Sequence, residues 1–196
     1  MRQILIATAN QGKAREFQEM IGQSWQVHTL KDLATVPEIV EDGDTFEANA
    51  LIKATALAPF FPGPILADDS GLEVDALGGA PGVYSARYAG EHGNDAANNS
   101  KLLKELEAIP DTHRGAQFHC VLAWVEEGRV RGTFNGICRG SILRETRGKK
   151  GFGYDPLFVP EGGLNLSMAE LEPEQKHALS HRGKAMRKAV EELNRR

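Results

Sequence analysis

Residues 3–30, QILIATANQGKAREFQEMIGQSWQVHTL, decide the fold class because three different patterns follow one another in them. The apolar run at 3–8 predicts a buried β-strand. The apolar spacing at 13–22 predicts an amphipathic helix that ends at Gly22, and residues 25–30 alternate like a second strand. A strand, a helix and a strand in succession are typical of an α/β fold.

The same patterns continue along the first half of the chain. Residues 44–61 predict a second helix, in which Asp44 and Glu47 have the spacing of a capping box. Residues 64–67 predict a short strand, and residues 94–109 predict a third helix. Helices and strands therefore keep alternating, as an α/β fold requires.

The second half of the chain predicts a β-meander, a loop and a last helix. Residues 116–143 have the strand pattern, with Glu127 and Gly128 at the first turn. Residues 149–162 form a glycine- and proline-rich stretch that predicts a loop, and residues 180–196 predict a basic amphipathic helix. Glycine-rich loops are the natural place for a binding site.

The composition limits the possible classes of protein. The 196 residues are 41% hydrophobic and 26% charged, which predicts one soluble globular domain or a compact two-lobed one. The net charge of -4 gives no basic signature for nucleic acid. No apolar segment is long enough for a membrane span or a signal peptide, so we expect a cytoplasmic protein that binds no membrane. Cys120 and Cys138 form no metal-binding pair, which predicts buried free thiols.

The turn TANQGK at residues 8–13 is a candidate phosphate site. It lies where a strand passes into a helix, and a helix N-terminus offers free N–H groups and the positive end of a dipole. Thr8 and Asn10 add hydrogen-bonding groups, and Lys13 adds a charge. It is not a Walker A loop, because it lacks the first glycine and the Ser or Thr after the lysine. The alternative is a simple strand–helix turn with a solvated lysine.

The segment ADDSG places two aspartates directly after an apolar run. We expect Asp68 and Asp69 to end the strand there, with Ser70 and Gly71 in a turn. Adjacent carboxylates repel each other, and a divalent cation removes that repulsion. Mg²⁺ takes one or two carboxylates with phosphates and water, and Glu41 is a second acidic candidate. The alternative is a pair of hydrated aspartates at an exposed strand end.

The stretch KKGFGYDP at residues 149–156 is a candidate nucleoside-binding loop. An aromatic ring such as Phe152 or Tyr154 stacks on a nucleobase with ~1–3 kcal/mol. Asp155 provides an acceptor for a base or sugar. The alternative is that both rings fill the hydrophobic core.

The start of the last helix is a candidate anion-binding segment. Ser180 is a suitable N-cap, which places His181 and Arg182 in the first helical turn. Cations are unfavourable at that end unless an anion or acceptor is present. Lys176 belongs to the same basic cluster. The alternative is a solvated helix start with scattered charges.

Taken together, these segments resemble one family, the inosine triphosphate pyrophosphatases, also called noncanonical purine nucleotide pyrophosphatases. The resemblance rests, in order and over nearly the whole chain, on ATANQGK, TFEANALIKA, ADDSGLEVDALGGAPGVYSARYAG, FHCVLA, KGFGYDPLF and LSHRGKA. It implies Mg²⁺-dependent hydrolysis of ITP, dITP and XTP to the monophosphate and pyrophosphate, which clears deaminated purines from the nucleotide pool. It also implies an elongated mixed sheet flanked by helices, in a single two-lobed domain over 1–196 with the active site in the cleft, and a homodimer.

The resemblance also implies roles for individual residues. Glu41 and Asp69 are similar to the family's metal ligands, and Asp69 to its general base. Arg182 or a backbone N–H is then the donor for the carbonyl at position 6 of the purine. The implied substrate-binding residues are Thr8, Ala9, Asn10, Gln11, Gly12, Lys13, Ser70, Phe152, Gly153, Tyr154, Asp155, Lys176, His181 and Arg182.

Two other functions use the same parts. A pyrophosphatase for modified pyrimidine nucleotides needs the same phosphate and metal residues with a different base pocket. A nucleotide-binding protein without catalysis needs only the binding residues. An aspartyl-phosphate phosphatase fits less well, because DDSG lacks the spaced DxDxT arrangement of that chemistry.

Overall fold

The computed structural model describes residues 2–195. In chain order the elements are β1 (Arg2–Ala7), α1 (Gln11–Ile21), β2 (Trp25–Thr29), α2 (Phe46–Leu57), β3 (Ile65–Val74), α3 (Asp95–Glu105), β4 (Gly115–Glu126), β5 (Arg129–Ile142), β6 (Phe158–Pro160), α4 (Pro173–Leu179) and α5 (His181–Asn194). The strands form one six-stranded sheet in the order β2-β1-β3-β4-β5-β6. β1 pairs in parallel with β2 and β3, whereas β5 and β6 are antiparallel. The predicted α/β fold with a mixed sheet flanked by helices is confirmed.

The chain packs as two compact units. Unit 1 comprises the described residues up to Asp69, Cys120–Gly136 and the described residues from Arg182 onward. Unit 2 comprises Ser70–His119 and Ile137–His181. Each unit has a hydrophobic core of its own.

The core of unit 1 lies between the strands and the helices α1 and α5. Ile4, Leu5 and Ile6 are all fully buried, which shows that β1 is covered on both faces. This explains why its sequence is a continuous apolar run rather than an alternating one. The buried members of the core are Ile4, Ile6, Phe17, Ile21, Trp25, Leu66, Cys120, Leu122, Trp124, Ala185, Met186, Ala189 and Leu193.

The core of unit 2 packs α3 against the end of β3, the start of β4 and the end of β5. Tyr88 packs against its margin. Its buried members are Leu72, Val74, Leu102, Leu106, Ala116, Phe118, Cys138, Ile142, Tyr154, Leu157, Phe158, Met168 and Leu171.

The opening strand, helix and strand are confirmed. α1 begins at Gln11, earlier than predicted, because the Asn10 side chain accepts a hydrogen bond from the Lys13 N–H and caps the helix. It ends before Gly22, which has a positive φ of 82°. The segment 8–13 therefore includes the first turn of the helix.

The second helix is confirmed, but its predicted capping box is wrong. The N-cap is Thr45, whose Oγ1 accepts from the Ala48 N–H at 3.1 Å. Asp44 lies one residue too early to cap, and Glu47 instead accepts from the Thr133 hydroxyl at 2.7 Å. Thr45 is the conventional capping residue type, so the local rule holds with a shift of one residue.

The third strand is longer than predicted, and the expected strand end at the aspartates is wrong. β3 runs from Ile65 to Val74, so Asp68, Asp69 and Ser70 lie in its middle and form no turn. The apolar residues that follow re-enter a core, and the charge of Asp68 is neutralised by cations from distant parts of the chain.

The hairpin between β4 and β5 is confirmed. Glu127 and Gly128 both have positive φ, 52° and 71°, as a two-residue turn between antiparallel strands requires. Near the C-terminus the structure adds α4, which the sequence did not predict, and α5 starts at His181 directly after Ser180. The predicted loop at 149–162 also contains the short strand β6.

Two smaller expectations concern the cysteines and membrane segments. Cys120 and Cys138 are free and buried, as predicted. Among residues 2–195, no helix has the length and apolar character that crossing a membrane demands.

Candidate active site

Residues 8–13 join the carboxyl end of β1 to the first turn of α1. The Thr8 Oγ1 accepts from the Asn10 N–H at 3.1 Å, and the Asn10 Oδ1 accepts from the Lys13 N–H at 3.0 Å. These bonds fix the backbone at the helix N-terminus, where anions are favoured. The side chains of Ala9 and Gln11 are exposed, and Gly12 is half-buried.

Asp68 is the centre of a buried charge network in unit 1. Its side chain is fully buried, and it forms an ion pair with Lys13 and accepts from the Arg182 Nε at 3.1 Å. The Cys120 thiol donates to the same carboxylate at 3.1 Å. Burial alone raises a carboxyl pKa, but the Arg182 and Lys13 charges hold the pKa of Asp68 well below its usual value. Two cations of the chain itself therefore neutralise this aspartate.

Arg182 has a second carboxylate partner, Glu16 of α1. The Arg182 Nη1 lies 2.5 Å from the Glu16 Oε2, and both residues are buried. Sequence reasoning missed Glu16, although it lies three residues after Lys13 and so shares its helix face. The structure thus places Lys13 and Arg182, both candidate substrate-binding residues, against one carboxylate, that of Asp68.

Asp69 follows in β3 with a different environment. Burial raises the pKa of Asp69 to about 6, and the charge of Lys53 opposes that rise only in part. The negative charges of Asp68 and Glu41 add to it. The Asp69 Oδ2 is buried and has no hydrogen-bond partner among the described residues. A buried carboxylate oxygen without a partner is costly, which indicates a ligand or a reactive role.

Lys53 of α2 links the acidic residues and was not predicted from sequence. Its Nζ lies 2.9 Å from the Glu41 Oε2 and donates to the Asp68 main-chain carbonyl at 3.0 Å. The signal that could have found it is a lone lysine inside the apolar helix segment NALIKATAL. Lys53 therefore holds Glu41 beside the strand that carries Asp69.

The acidic residues fit a divalent cation that brings further ligands with it. Within residues 2–195, no group of three or more His, Cys, Asp or Glu side chains is arranged to hold a metal alone. Mg²⁺ usually takes one or two carboxylates and completes its shell with phosphates and water. The unpartnered oxygen of Asp69 and the neighbouring Glu41 provide that number of carboxylates.

In unit 2, the 151–155 loop brings three predicted residues together. The Lys176 Nζ donates to the Asp155 Oδ2 at 2.7 Å, and both side chains are buried. The Phe152 N–H donates to the same oxygen at 3.0 Å. The Lys176 Nζ also lies 5.0 Å from the centre of the half-buried Phe152 ring. Phe152 is thus held against a cation.

Tyr154 belongs to the core rather than to an open surface. Its residue is 4% exposed, and its hydroxyl donates to the Ser85 carbonyl at 2.8 Å. Burial raises the pKa of this phenol. The expectation that the Tyr154 ring stacks on a base is therefore wrong, and the core alternative holds for it. Phe152 remains as the aromatic candidate of the loop.

His181 and Ser70 complete the predicted residues of unit 2. The His181 ring is buried and lies parallel to the Phe118 ring, with centroids 4.7 Å apart. Ser70 is half-buried in β3. His181 and Arg182 do occupy the first turn of α5, as predicted.

Comparison with known proteins gives matches over nearly the full chain. A model of the Ham1 family matches residues 4–192. A dITP/XTP pyrophosphatase of Desulforamulus reducens is 53% identical over 195 residues, which cover 98% of this chain and 96% of the relative. A dITP/XTP pyrophosphatase of Geobacillus kaustophilus is 49% identical over 194 residues, with 98% and 94% covered.

Solved structures show the same fold. A HAM1 protein from Coxiella burnetii superposes with a TM-score of 0.87 at 42% identity, and the match covers 100% of both chains. A nucleoside-triphosphatase and dITP/XTP pyrophosphatase from Mycobacterium abscessus gives a TM-score of 0.75 at 45% identity, covering 95% of this chain and 98% of the other.

Proposed function

This chain belongs to the Ham1 family, and from that premise we propose that it hydrolyses the noncanonical purine nucleotides ITP, dITP and XTP to the monophosphate and pyrophosphate. It is a nucleoside triphosphate pyrophosphatase, a hydrolase that acts on triphosphates. The observation that carries the proposed mechanism is Asp69, a carboxylate with one buried, unpartnered oxygen and a pKa raised to about 6.

Asp69 is the general base in this mechanism. In the metal-free protein, a pKa of about 6 leaves Asp69 ionised at neutral pH, in the form that accepts a proton. The water oxygen attacks the α-phosphorus, the bond from that phosphorus to the bridging oxygen of the β-phosphate breaks, and pyrophosphate leaves with the bonding electrons. The proton of the water passes to Asp69.

The cations of unit 1 stabilise the charge of the triphosphate. The first turn of α1 offers backbone N–H groups to the phosphates. Thr8 and Lys13 add a hydroxyl and a positive charge in the same segment, residues 8–13. Lys53 adds a second lysine beside Asp69. Catalysis of phosphoryl transfer rests mainly on such positioning and electrostatic stabilisation.

Glu41 and Asp69 are the proposed ligands of Mg²⁺. When bound, the ion neutralises phosphate oxygens and assists the departure of pyrophosphate. Lys53 already lies 2.9 Å from Glu41, so this side chain orients a carboxylate that would otherwise be free to turn to solvent.

Unit 2 carries the residues proposed for the nucleoside. Phe152 stacks on the base, and Ser70, Lys176 and His181 contribute polar contacts. Gly153, Tyr154 and Asp155 belong to the loop that carries Phe152 to the nucleoside. Arg182 or a backbone N–H donates a hydrogen bond to the carbonyl oxygen at position 6 of hypoxanthine or xanthine. Adenine has an amino group there, which leaves the donor unpaired and discriminates by up to ~10⁴-fold.

We also propose that the chain acts in the cytoplasm as a homodimer, with residues 1–196 as one two-lobed domain. The family resemblance supports this, and light scattering of the purified protein measures the mass directly. A mass near the 21.4 kDa of one chain contradicts the dimer.

The experiment that tests the function measures pyrophosphate release from ITP, XTP, dITP, GTP, ATP and dUTP, with Mg²⁺ and with EDTA. We expect fast release from ITP, dITP and XTP, slow release from ATP and GTP, and none in EDTA. Asp69→Asn should lower kcat by about 10²- to 10⁴-fold. Asp44→Asn is the matched control, because Asp44 is an exposed aspartate of the same unit.

The other outcomes separate the remaining functions. Release from dUTP with none from the purines favours a pyrophosphatase for modified pyrimidines. Binding of XTP by the wild type without turnover favours a nucleotide-binding protein.

A further inference from the structure

The 151–155 loop is held at its middle residue by two side chains of α3. The Gly153 N–H donates to the Asp95 Oδ2 at 2.7 Å, and the Asn99 Nδ2 donates to the Gly153 carbonyl at 2.9 Å. Asp95 and Asn99 are four residues apart, so they lie on one face of the helix. Both backbone hydrogen-bonding groups of Gly153 are thus fixed by one element.

The loop needs such support because its glycines allow the backbone many conformations. Gly151 and Gly153 have φ of 77° and 61°, in the left-handed region that glycine enters at no steric cost. A Cβ on Gly151 would lie 2.1 Å from the Asp155 Oδ2, so the residue must be glycine. A segment with two glycines loses much conformational freedom when it is ordered. Side-chain hydrogen bonds supply the ordering here.

Phe152 lies between these two glycines, so its position depends on both. Its N–H is bonded to Asp155, as described above, which fixes the loop on one side of the ring. The bonds of Asp95 and Asn99 to Gly153 fix it on the other. Without the second pair, Gly153 loses both of its hydrogen bonds to α3, and the position of the neighbouring Phe152 is less tightly fixed.

α3 is a suitable support because it is anchored independently of the loop. Its N-cap, Asn94, accepts from the Ala97 N–H at 3.0 Å. Asn98 accepts from the Ala89 N–H at 2.8 Å and donates to the Ala86 carbonyl at 3.3 Å. Asp95 stands in the first helical turn, where the helix dipole stabilises a carboxylate. Its bond to Gly153 is charge-assisted and therefore among the stronger hydrogen bonds.

We propose that Asp95 and Asn99 are positioning residues that fix Phe152 for stacking on the nucleobase. The inference rests on the proposed function, in which Phe152 contacts the base. Because Asp95 and Asn99 act through the loop and not on Asp69, their loss weakens base binding and base selectivity and leaves the chemical step intact.

The test uses substitutions with matched controls on the same helix. Asp95→Ala removes the acceptor for the Gly153 N–H, and the residue is exposed, so the fold is kept. Asp95→Asn keeps an acceptor oxygen and serves as the conservative variant. Ser100→Ala is the control, because the Ser100 hydroxyl donates to Ala96 within α3. Asn99→Asp places an oxygen against the Gly153 carbonyl and tests the second bond.

The first readout is amide hydrogen exchange of the loop in the ligand-free protein. Loss of a charge-assisted hydrogen bond should speed exchange of the Gly153 amide by about tenfold in Asp95→Ala. Exchange in Ser100→Ala should match the wild type. Unchanged exchange of Gly153 in Asp95→Ala contradicts the inference, whatever the activity.

The second readout is the steady-state kinetics of pyrophosphate release from XTP and ATP. We expect KM for XTP to rise about tenfold in Asp95→Ala and Asn99→Asp, with kcat within about twofold and a smaller XTP/ATP ratio of kcat/KM. Asp95→Asn should recover most of the loss. Faster exchange with an unchanged KM and ratio overturns the positioning role. If the wild type releases no pyrophosphate, the proposed function is wrong, and so is the proposed role of Phe152. The exchange data still test whether the two hydrogen bonds order the loop.

Discussion

Asp68 and Asp69 are adjacent in the chain, yet their surroundings give them opposite properties. Lys13 and Arg182 keep Asp68 ionised, whereas burial and neighbouring negative charge raise the pKa of Asp69. Two carboxylates whose pKa values are pushed apart are typical of a site that needs one fixed charge and one proton acceptor. The pleat of β3 separates the two side chains onto opposite faces of the sheet.

The different surroundings of Asp68 and Asp69 predict different effects of an Asp→Asn substitution on stability. Asp68→Asn leaves the half-buried Lys13 and the buried Arg182 with one carboxylate fewer, which should lower the free energy of unfolding by about 3–5 kcal/mol. Asp69→Asn removes repulsion between like charges and should leave stability unchanged or raised. Urea unfolding of both variants in EDTA measures this, and equal losses in the two would contradict the assignment.

Sequence reasoning named candidate residues for the site but not the partners that hold them. Glu41 was named for its acidic side chain and Lys176 for its place in a basic cluster, and Lys13 and Asp69 stand in recognisable motifs. Glu16 does not, because its partner Arg182 is 166 positions away and no local pattern marks the pair. The stacking role of Tyr154 was wrong for a related reason, since only the fold shows that its ring enters a core.

Among the elements, those with local causes were predicted most accurately. The β4–β5 turn depends on its own two residues, and α1 on its own apolar face and terminal glycine. β3 was predicted too short because two adjacent charges normally end a strand. The cation that neutralises Asp68 comes from a distant part of the chain, which no local pattern shows. α4 was missed because a seven-residue helix contains too few turns for a periodic pattern.

The shifted cap of α2 gives a prediction at this scale. Thr45→Ala removes the acceptor for the Ala48 N–H and should cost about 1 kcal/mol of stability. Asp44→Ala, one residue earlier, should change stability very little, because the exposed Asp44 does not cap. Thermal unfolding of the two variants separates these assignments, and a larger loss in Asp44→Ala would restore the original capping box.

In the molecule as a whole, each of the two units buries one thiol in its own core. Cys120 lies in the core of unit 1 and Cys138 in the core of unit 2. Burial raises the pKa of the Cys120 thiol well above its usual value, so little thiolate is present to react. The bounds of the units were not evident from the sequence, because each unit is assembled from separated stretches of chain.

Alkylation of these thiols therefore reports on each unit separately. Neither thiol should react in native buffer, and both should react in urea. Asp68→Asn weakens unit 1 and should speed the labelling of Cys120 more than that of Cys138. Leu102→Ala creates a cavity in the core of unit 2 and should speed the labelling of Cys138 more than that of Cys120. Mass spectrometry of the labelled peptides measures both rates, and equal acceleration in both variants would mean that the units open only together.

The tryptophans and the tyrosines lie in different units, so each unit has its own optical signal. Both tryptophans, Trp25 and Trp124, belong to unit 1, and all three tyrosines, at positions 84, 88 and 154, belong to unit 2. Indole emission thus follows the melting of unit 1, whereas changes in phenol absorbance follow unit 2. One heated sample yields two curves, and whether their midpoints coincide tells whether the chain unfolds as a single cooperative body.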